Sequence, residues 1–255
     1  MRLEPLPALQ DNYIWLLADD NGHALVVDPG EAEPVERALT RQHVKLTTIL
    51  LTHHHADHVG AAAMLRERHG ASVYAPVDGR IDDVDHRVGE GDQVTLNAPA
   101  AHFEVWAVPG HTRSHIAYIG EGLAFSGDTL FSLGCGRLFE GTPQQMLDAL
   151  DRFAMLPDDT LVCCGHEYTL ANARFAHTIE PDNDALAMRT ESARQAVADG
   201  RASLPARMGE ERAANPFLRT DCAAIRQWAG NRGVAPDDRT GRFAALRATK
   251  DGFKA

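Results

Sequence analysis

Short apolar runs punctuated by turn residues fill the chain as far as Cys164, and longer helical periodicities replace them afterwards. Residues 12–17 read as a strand, 19–22 as a turn and 24–27 as the returning strand of a hairpin. Asp28-Pro29-Gly30 breaks that strand. Pro34 suits the first turn of a helix running to about Gln42, and residues 46–51 form a buried strand. Strong helix formers occupy 61–68, with Gly70 placed to end the helix. Residues 103–108, 116–119 and 123–126 read as further strands, the last two joined across 120–122. Thr142-Pro143-Gln144-Gln145 combines an N-cap, a proline at the first helical position and a capping-box glutamine, which predicts a helix to about Met155. Residues 160–164 are the last clear strand. Beyond Thr169 the pattern predicts helices over 172–179, 185–198, 221–229 and 239–248, separated by 200–216 and 230–236. The change of period places a domain boundary near Tyr168, dividing the chain into 1–168 and 169–255.

The chemistry-bearing residues sit just after the strands. Thr52-His53-His54-His55-Ala56-Asp57-His58 follows one strand directly and places four imidazoles and a carboxylate within six residues. Such a buried cluster leaves several polar groups unpaired unless a cation binds them. In an extended loop His53 and His55 project to one side and His54 to the other, while the turn into the next helix brings Asp57 and His58 back toward the site. His54 is therefore excluded from the ligands. His111 and His166 each end another strand, and Asp128 follows Gly127 in the same way. The arithmetic of donors suggests two ions: His53, His55 and His111 around one, Asp57, His58 and His166 around the other, with Asp128 bridging. Three nitrogens on one ion leave a position open for water, the mark of a catalytic centre. Asp28 lies in an ordinary Asp-Pro-Gly turn, with an orienting role toward a ligand as the alternative. His115, four residues after His111, reads as a structural histidine, with a place near the site as the alternative.

Composition narrows the partners. The formal charge of −11 and 44% hydrophobic content fit a globular protein with a substantial core, and argue against nucleic-acid or membrane-surface binding. The N-terminal residues carry no secretory pattern and no apolar run is long enough to span a bilayer, so the expected location is cytoplasmic. Cys135, Cys163, Cys164 and Cys222 lack a paired-ligand spacing and read as reduced thiols.

The motifs Thr52 to His58, Pro109-Gly110-His111-Thr112, Ser126-Gly127-Asp128-Thr129 and Gly165-His166-Glu167-Tyr168 resemble the metallo-β-lactamase superfamily. That resemblance implies an α/β fold, a four-layer αββα sandwich, here with a C-terminal α-helical domain. Gly134-Cys135-Gly136-Arg137, His166 to Thr169, Asn215-Pro216-Phe217-Leu218-Arg219 and the pattern Arg247, Lys250, Asp251, Phe253, Lys254 resemble the glyoxalase II (hydroxyacylglutathione hydrolase) family more specifically. The family implies the ligand set already given, with Asp57 and Asp128 as its catalytic carboxylates. It further implies that Arg247 and Lys250 hold a glutathione carboxylate, with Arg137 and Tyr168 adding contacts.

The implied reaction is hydrolysis of S-(2-hydroxyacyl)glutathione thioesters, S-D-lactoylglutathione to glutathione and D-lactate, by a metal-bridged hydroxide. The implied cofactors are two divalent metal ions, zinc first, with iron or manganese as alternatives. The partner is then a small-molecule glutathione thioester, with no nucleic acid and no membrane, and the protein a monomer. The rival readings are another hydrolase of the superfamily, such as a lactonase, β-lactamase or phosphodiesterase, and a mononuclear-iron persulfide dioxygenase. Phe139 stands where the family often has a tyrosine, Ala61 replaces a common glycine, and Ser114 occupies a variable position. These departures bear on affinity and acyl preference rather than on the reaction.

Overall fold

The computed structural model describes residues 1–253, so Lys254 of the C-terminal pattern lies outside the described residues. Two compact units make up the chain. The first comprises residues 1–108, 114–127 and 163–166, and the second residues 109–113, 128–162 and 167–255.

The first unit begins with strands β1 (Arg2–Ala8), β2 (Asn12–Ala18) and β3 (His23–Val27), followed by helix α1 (Ala32–Gln42) and strand β4 (Lys45–Leu50). Helices α2 (Ala56–Val59) and α3 (Ala62–His69) lead to β5 (Ser72–Pro76), β6 (His86–Val88), β7 (Gln93–Asn97), β8 (Ala100–Ala107), β9 (Ile116–Gly120) and β10 (Leu123–Gly127). β1 to β6 form one sheet in sequence order, antiparallel from β1 to β3 and parallel from β3 to β6. In a second sheet β7, β8, β9 and β10 pair antiparallel in succession.

β2 is buried at every residue, which explains its unbroken apolar run: both faces of the strand are covered. On one face, Leu6, Ile14, Leu16, Val26 and Ile49 join Val35, Ala38 and Leu39 of α1 and Leu65 of α3 in a single apolar cluster. Each large aliphatic side chain buried there contributes about 1.5–3 kcal/mol. On the other face the two sheets meet. The Tyr118 hydroxyl of β9 donates to the Leu51 carbonyl at 3.1 Å, and the Trp15 indole N–H of β2 donates to the Cys164 carbonyl at 2.9 Å. Helix layer, sheet and sheet are thus the first three layers of the expected sandwich.

The second unit contains the small ribbon β11 (Leu130–Phe131) and β12 (Gly134–Cys135), helix α4 (Pro143–Ala154), and the start of β13 (Leu161–Cys164), whose last two residues belong to the first unit. Helices α5 (Thr169–Ile179) and α6 (Asp184–Ala198), strand β14 (Ala206–Arg207) and helices α7 (Met208–Ala214), α8 (Ala223–Gly230) and α9 (Arg239–Asp251) complete it. The predicted capping box is present: the Thr142 hydroxyl accepts from Gln145 N–H and the Gln145 side chain accepts from Thr142 N–H. β1, β5, β6, β7 and α7 have no counterpart in the sequence reading. Among the described residues no helix is long and apolar enough to cross a membrane, and all four cysteines are free thiols.

Candidate metal centre

The histidine-rich stretch takes its shape from a tight turn and a short helix. After β4, His55 adopts φ −63°, ψ 141° as the cap of α2, whose single turn carries Asp57 and His58. Gly30 lies against this helix so closely that a Cβ there would come within 1.9 Å of the Asp57 carbonyl oxygen. Ala61 N–H donates to the Pro29 carbonyl at 2.9 Å, so the Asp-Pro-Gly turn and the ligand helix form one rigid element.

Three candidate donor atoms converge at this point. His58 Nε2 is 3.3 Å from His166 Nε2, and both lie 3.4 Å from Asp57 Oδ2. Each imidazole is fixed from behind. His58 Nδ1 donates to Asp28 Oδ2 at 3.0 Å and His166 Nδ1 donates to Asp11 Oδ1 at 2.8 Å. A carboxylate only accepts, so in each neutral ring Nδ1 carries the hydrogen and the Nε2 lone pair points inward. Two lone pairs and a carboxylate oxygen directed at one another repel unless a cation lies among them. The donor set therefore fits a divalent metal, and all three donor atoms lie within 4.8 Å of one another.

Asp28 takes the orienting role. It is buried, accepts from Thr52 N–H at 2.8 Å and from the Thr52 hydroxyl at 2.7 Å, and its second oxygen also holds His58. Asp28, His53 and His58 themselves offer donor atoms within 4.8 Å, but these bonds commit the Asp28 carboxylate to positioning. A second pair of inward donors is His53 Nε2 and His55 Nδ1, 3.0 Å apart. His115 is fully buried and its ring stacks on His53 at 4.6 Å. His54 turns away, with Nδ1 3.6 Å from Asp78 Oδ2. The Arg80 guanidinium holds the Asp78 carboxyl far below the usual carboxylate range; burial opposes this and the Ser114 hydroxyl assists it.

In the second unit His111 Nε2 lies 3.4 Å from Asp128 Oδ2, and His111 Nδ1 donates to the Arg137 carbonyl at 2.9 Å. The loop that supplies this carbonyl is glycine-rich for steric reasons. A Cβ on Gly136 would meet the Asp128 carbonyl oxygen at 1.9 Å, and one on Gly134 would meet the Asn172 side chain at 2.4 Å. Phe139 is exposed, with its ring centroid 5.1 Å from that of His111.

The four residues expected to contact substrate lie in the same unit and differ in exposure. Arg137 is exposed, 3.6 Å from Asp251, and Tyr168 is half-buried, edge-on to Phe131 at 5.2 Å. Lys250 is half-buried, its ammonium 5.6 Å from the Phe175 ring centre and 5.7 Å from that of Phe253. Burial lowers its pKa, and Arg247, Arg174 and Arg137 add to that effect. Arg247 is buried. Its guanidinium donates to the Cys135 and Gly136 carbonyls and pairs with Asp251 at 3.1 Å. Burial pushes the Cys135 thiol up to about 11, against the pull of Arg247.

Sequence reasoning missed Asp11 and Asn12. The Asn12 amide donates to Asp57 Oδ2 at 3.0 Å and to the Asp57 carbonyl at 3.3 Å. Nothing in the spacing of these residues links them to positions 57 and 166.

Residues 9–166 match the metallo-beta-lactamase superfamily, and residues 167–253 match the family described as hydroxyacylglutathione hydrolase C-terminus. A hydroxyacylglutathione hydrolase of Xanthomonas campestris pv. campestris is 51% identical, the similarity covering 100% of both chains. Among solved structures, ETHE1 from Myxococcus xanthus superposes with a TM-score of 0.67 at 28% identity, covering 98% of each chain. TTHA1623, solved in a di-iron-bound form, gives 0.54 at 28% identity over 65% of this chain and 92% of its own.

Proposed function

This chain belongs to the hydroxyacylglutathione hydrolases of the metallo-β-lactamase superfamily, and from that premise we propose that it hydrolyses S-(2-hydroxyacyl)glutathione thioesters. S-D-lactoylglutathione would yield glutathione and D-lactate, the second step of methylglyoxal detoxification. The observation that carries the reading is the convergence of Asp57, His58 and His166, with each histidine backed by a carboxylate.

We assign His53, His55 and His111 to one divalent ion, Asp57, His58 and His166 to a second, and Asp128 to a bridge between them. Zinc is the first candidate, and the di-iron form of TTHA1623 supports iron as an alternative. The same reading takes residues 1–168 as the catalytic domain, 169–255 as the substrate-binding domain, and the protein as a cytoplasmic monomer. Its partner is the small-molecule thioester.

Bound divalent ions supply Lewis acidity, bringing the pKa of water to about 7 and polarising a carbonyl oxygen. The chain's own residues do the positioning. Asp57 and Asp128 orient the attacking water, and the Nδ1-bonded carboxylates keep His58 and His166 in the ligand tautomer. The departing thiolate, whose conjugate acid titrates at about 8.5, needs no strong general acid. Lys250 and Arg247 form the basic pair for the glutathione carboxylate, with Arg137 and Tyr168 beside it, and Arg247 also braces the glycine loop through the Cys135 carbonyl.

Elemental analysis beside an assay of S-D-lactoylglutathione hydrolysis tests the reading. Dialysis against a chelator is expected to abolish turnover and added zinc to restore it; turnover that survives with no metal bound would sink the proposal. For the basic pair, Lys250→Ala is expected to raise KM for the glutathione thioester by about tenfold, with metal content unchanged, as suits a charge-assisted contact worth about 1.5 kcal/mol. Because the Lys250 pKa is lowered, its neutral form appears at a lower pH than that of an ordinary lysine. KM should therefore climb as the pH becomes alkaline, and Lys250→Arg should flatten that climb. A flat KM profile in the native enzyme contradicts the contact.

A further inference from the structure

The turn that joins β1 to β2 reaches the ligand cluster of the same unit. Leu9 adopts a left-handed φ of 51°, and the chain then runs beside the loop that carries His166. Asn12 forms an antiparallel bridge with His166, and Tyr13 N–H donates to the Gly165 carbonyl at 2.8 Å. This backbone stitching would suffice to attach the hairpin. The side chains of the same dipeptide go further. Asp11 accepts from His166 Nδ1 at 2.8 Å, and Asn12 donates to Asp57 Oδ2 at 3.0 Å. Two adjacent residues thus hold two of the three converging ligands, and Asp28 holds the third.

Each contact has a chemical consequence. Asp11 fixes the His166 tautomer with the hydrogen on Nδ1, raises the basicity of the ring and leaves Nε2 directed at Asp57 Oδ2. Asn12 occupies one lone pair of Asp57 Oδ2, and the second lone pair of that oxygen stays directed toward the imidazoles. The Asp11 side chain is 42% exposed, so its burial adds little to the core. Its value lies in where it holds a ring that is only 6% exposed.

We propose that Asp11 and Asn12 are positioning residues that preorganise His166 and Asp57 for the second divalent ion. The inference rests on the two-ion reading above. Removing a partner that orients a metal ligand costs about 10–100-fold in metal affinity.

The test is zinc affinity and stoichiometry, measured on the full-length protein by competition with a chromophoric chelator and by elemental analysis. In Asp11→Ala one of the two ions is expected to bind about 10–100-fold more weakly, with the other unchanged. Asp11→Asn keeps an acceptor oxygen without the charge and should fall between Asp11→Ala and the native protein. Asn12→Ala should weaken the same ion. The melting temperature of the metal-free variants should stay near that of the metal-free native protein, since the backbone bonds of the turn persist. Native affinity for both ions in Asp11→Ala and Asn12→Ala overturns the proposal. So does equal weakening of both ions together with a lowered metal-free melting temperature, which marks a merely structural turn. Native protein that binds no zinc overturns the two-ion reading itself, and the inference with it.

Discussion

Asp57→Asn is expected to lower thioester hydrolysis by at least about a hundredfold and to lower metal content with it. The substitution preserves shape, so the comparison isolates charge and lone pairs. Asp57 Oδ2 faces His58 Nε2 and His166 Nε2 at 3.4 Å, and Asn12 donates to the same oxygen. An amide that puts its NH2 at this corner can neither ligate a cation nor accept from Asn12, and one that keeps its oxygen there is a weaker, uncharged donor. Both choices lose the negative charge that offsets a divalent ion. Residues that only orient a ligand already cost about 10–100-fold when removed, so loss of the ligand itself should exceed that. Asp128→Asn should behave in the same way through the Asp128 carboxylate that faces His111. Full activity at normal metal content in either variant would falsify the assignment of that carboxylate. A normal KM with collapsed kcat supports it further, because the lost interaction belongs to the reacting atoms rather than to the glutathione arm.

Four of the proposed ligands are legible because they are local. His53, His55, Asp57 and His58 are spaced within one loop and one helical turn, and backbone alternation alone separates His54, which the structure turns toward Asp78. Their supports were not legible in the same way. Asp11 meets His166 across 155 residues through strand pairing, a relation that no spacing encodes. Asp28 could be suspected because it ends a strand, and its bonds to Thr52 and His58 give it the orienting role. Arg247 enters the sequence reading only through the family resemblance, beside Lys250 as a partner for a glutathione carboxylate. Its burial against the Cys135 carbonyl, 112 residues away, became visible only when α9 was folded against the glycine loop.

The same distinction runs through the fold. β2, β3 and β10 are buried along nearly their whole length, so they read as continuous apolar runs. β1 contains Pro5 and Pro7 and sits at a sheet edge, where proline is tolerated but the apolar signal is lost. β6 is three residues long and carries His86 and Arg87 on its exposed positions, too short for a period to register. α7 lies inside a segment read as a separator. It is seven residues long, contains Gly209, and turns the charged Glu211 inward.

That inward glutamate belongs to the network behind the second large prediction, the effect of Asn215→Ala on stability. Asn215 is fully buried; its amide donates to the Phe131 and Gly134 carbonyls at 3.0 Å and to Glu211 at 3.1 Å, and its oxygen accepts from Phe217 N–H at 3.0 Å. Glu211 accepts in addition from the Ser132 hydroxyl at 2.6 Å and from Leu133 N–H at 2.8 Å. One side chain of the Asn-Pro-Phe-Leu-Arg segment therefore ties α7 to both strands of the β11–β12 ribbon. Alanine leaves several of these groups without a partner and out of reach of water, at about 1–3 kcal/mol each. The expected loss is about 3–6 kcal/mol, which for a chain of this size lowers the melting temperature by on the order of 10 °C. Asn215→Asp is the sharper probe. Burial already raises the Glu211 pKa, so a second carboxylate beside it should make the loss deepen as pH rises and shrink as pH falls. Thermal unfolding of the metal-free proteins across a pH series measures both. A melting temperature within about 2 °C of native for Asn215→Ala, below even the loss expected of one typical hydrogen bond, would mean that water or a shift of α7 satisfies the ribbon, and that the segment holds it by packing of Phe217 instead.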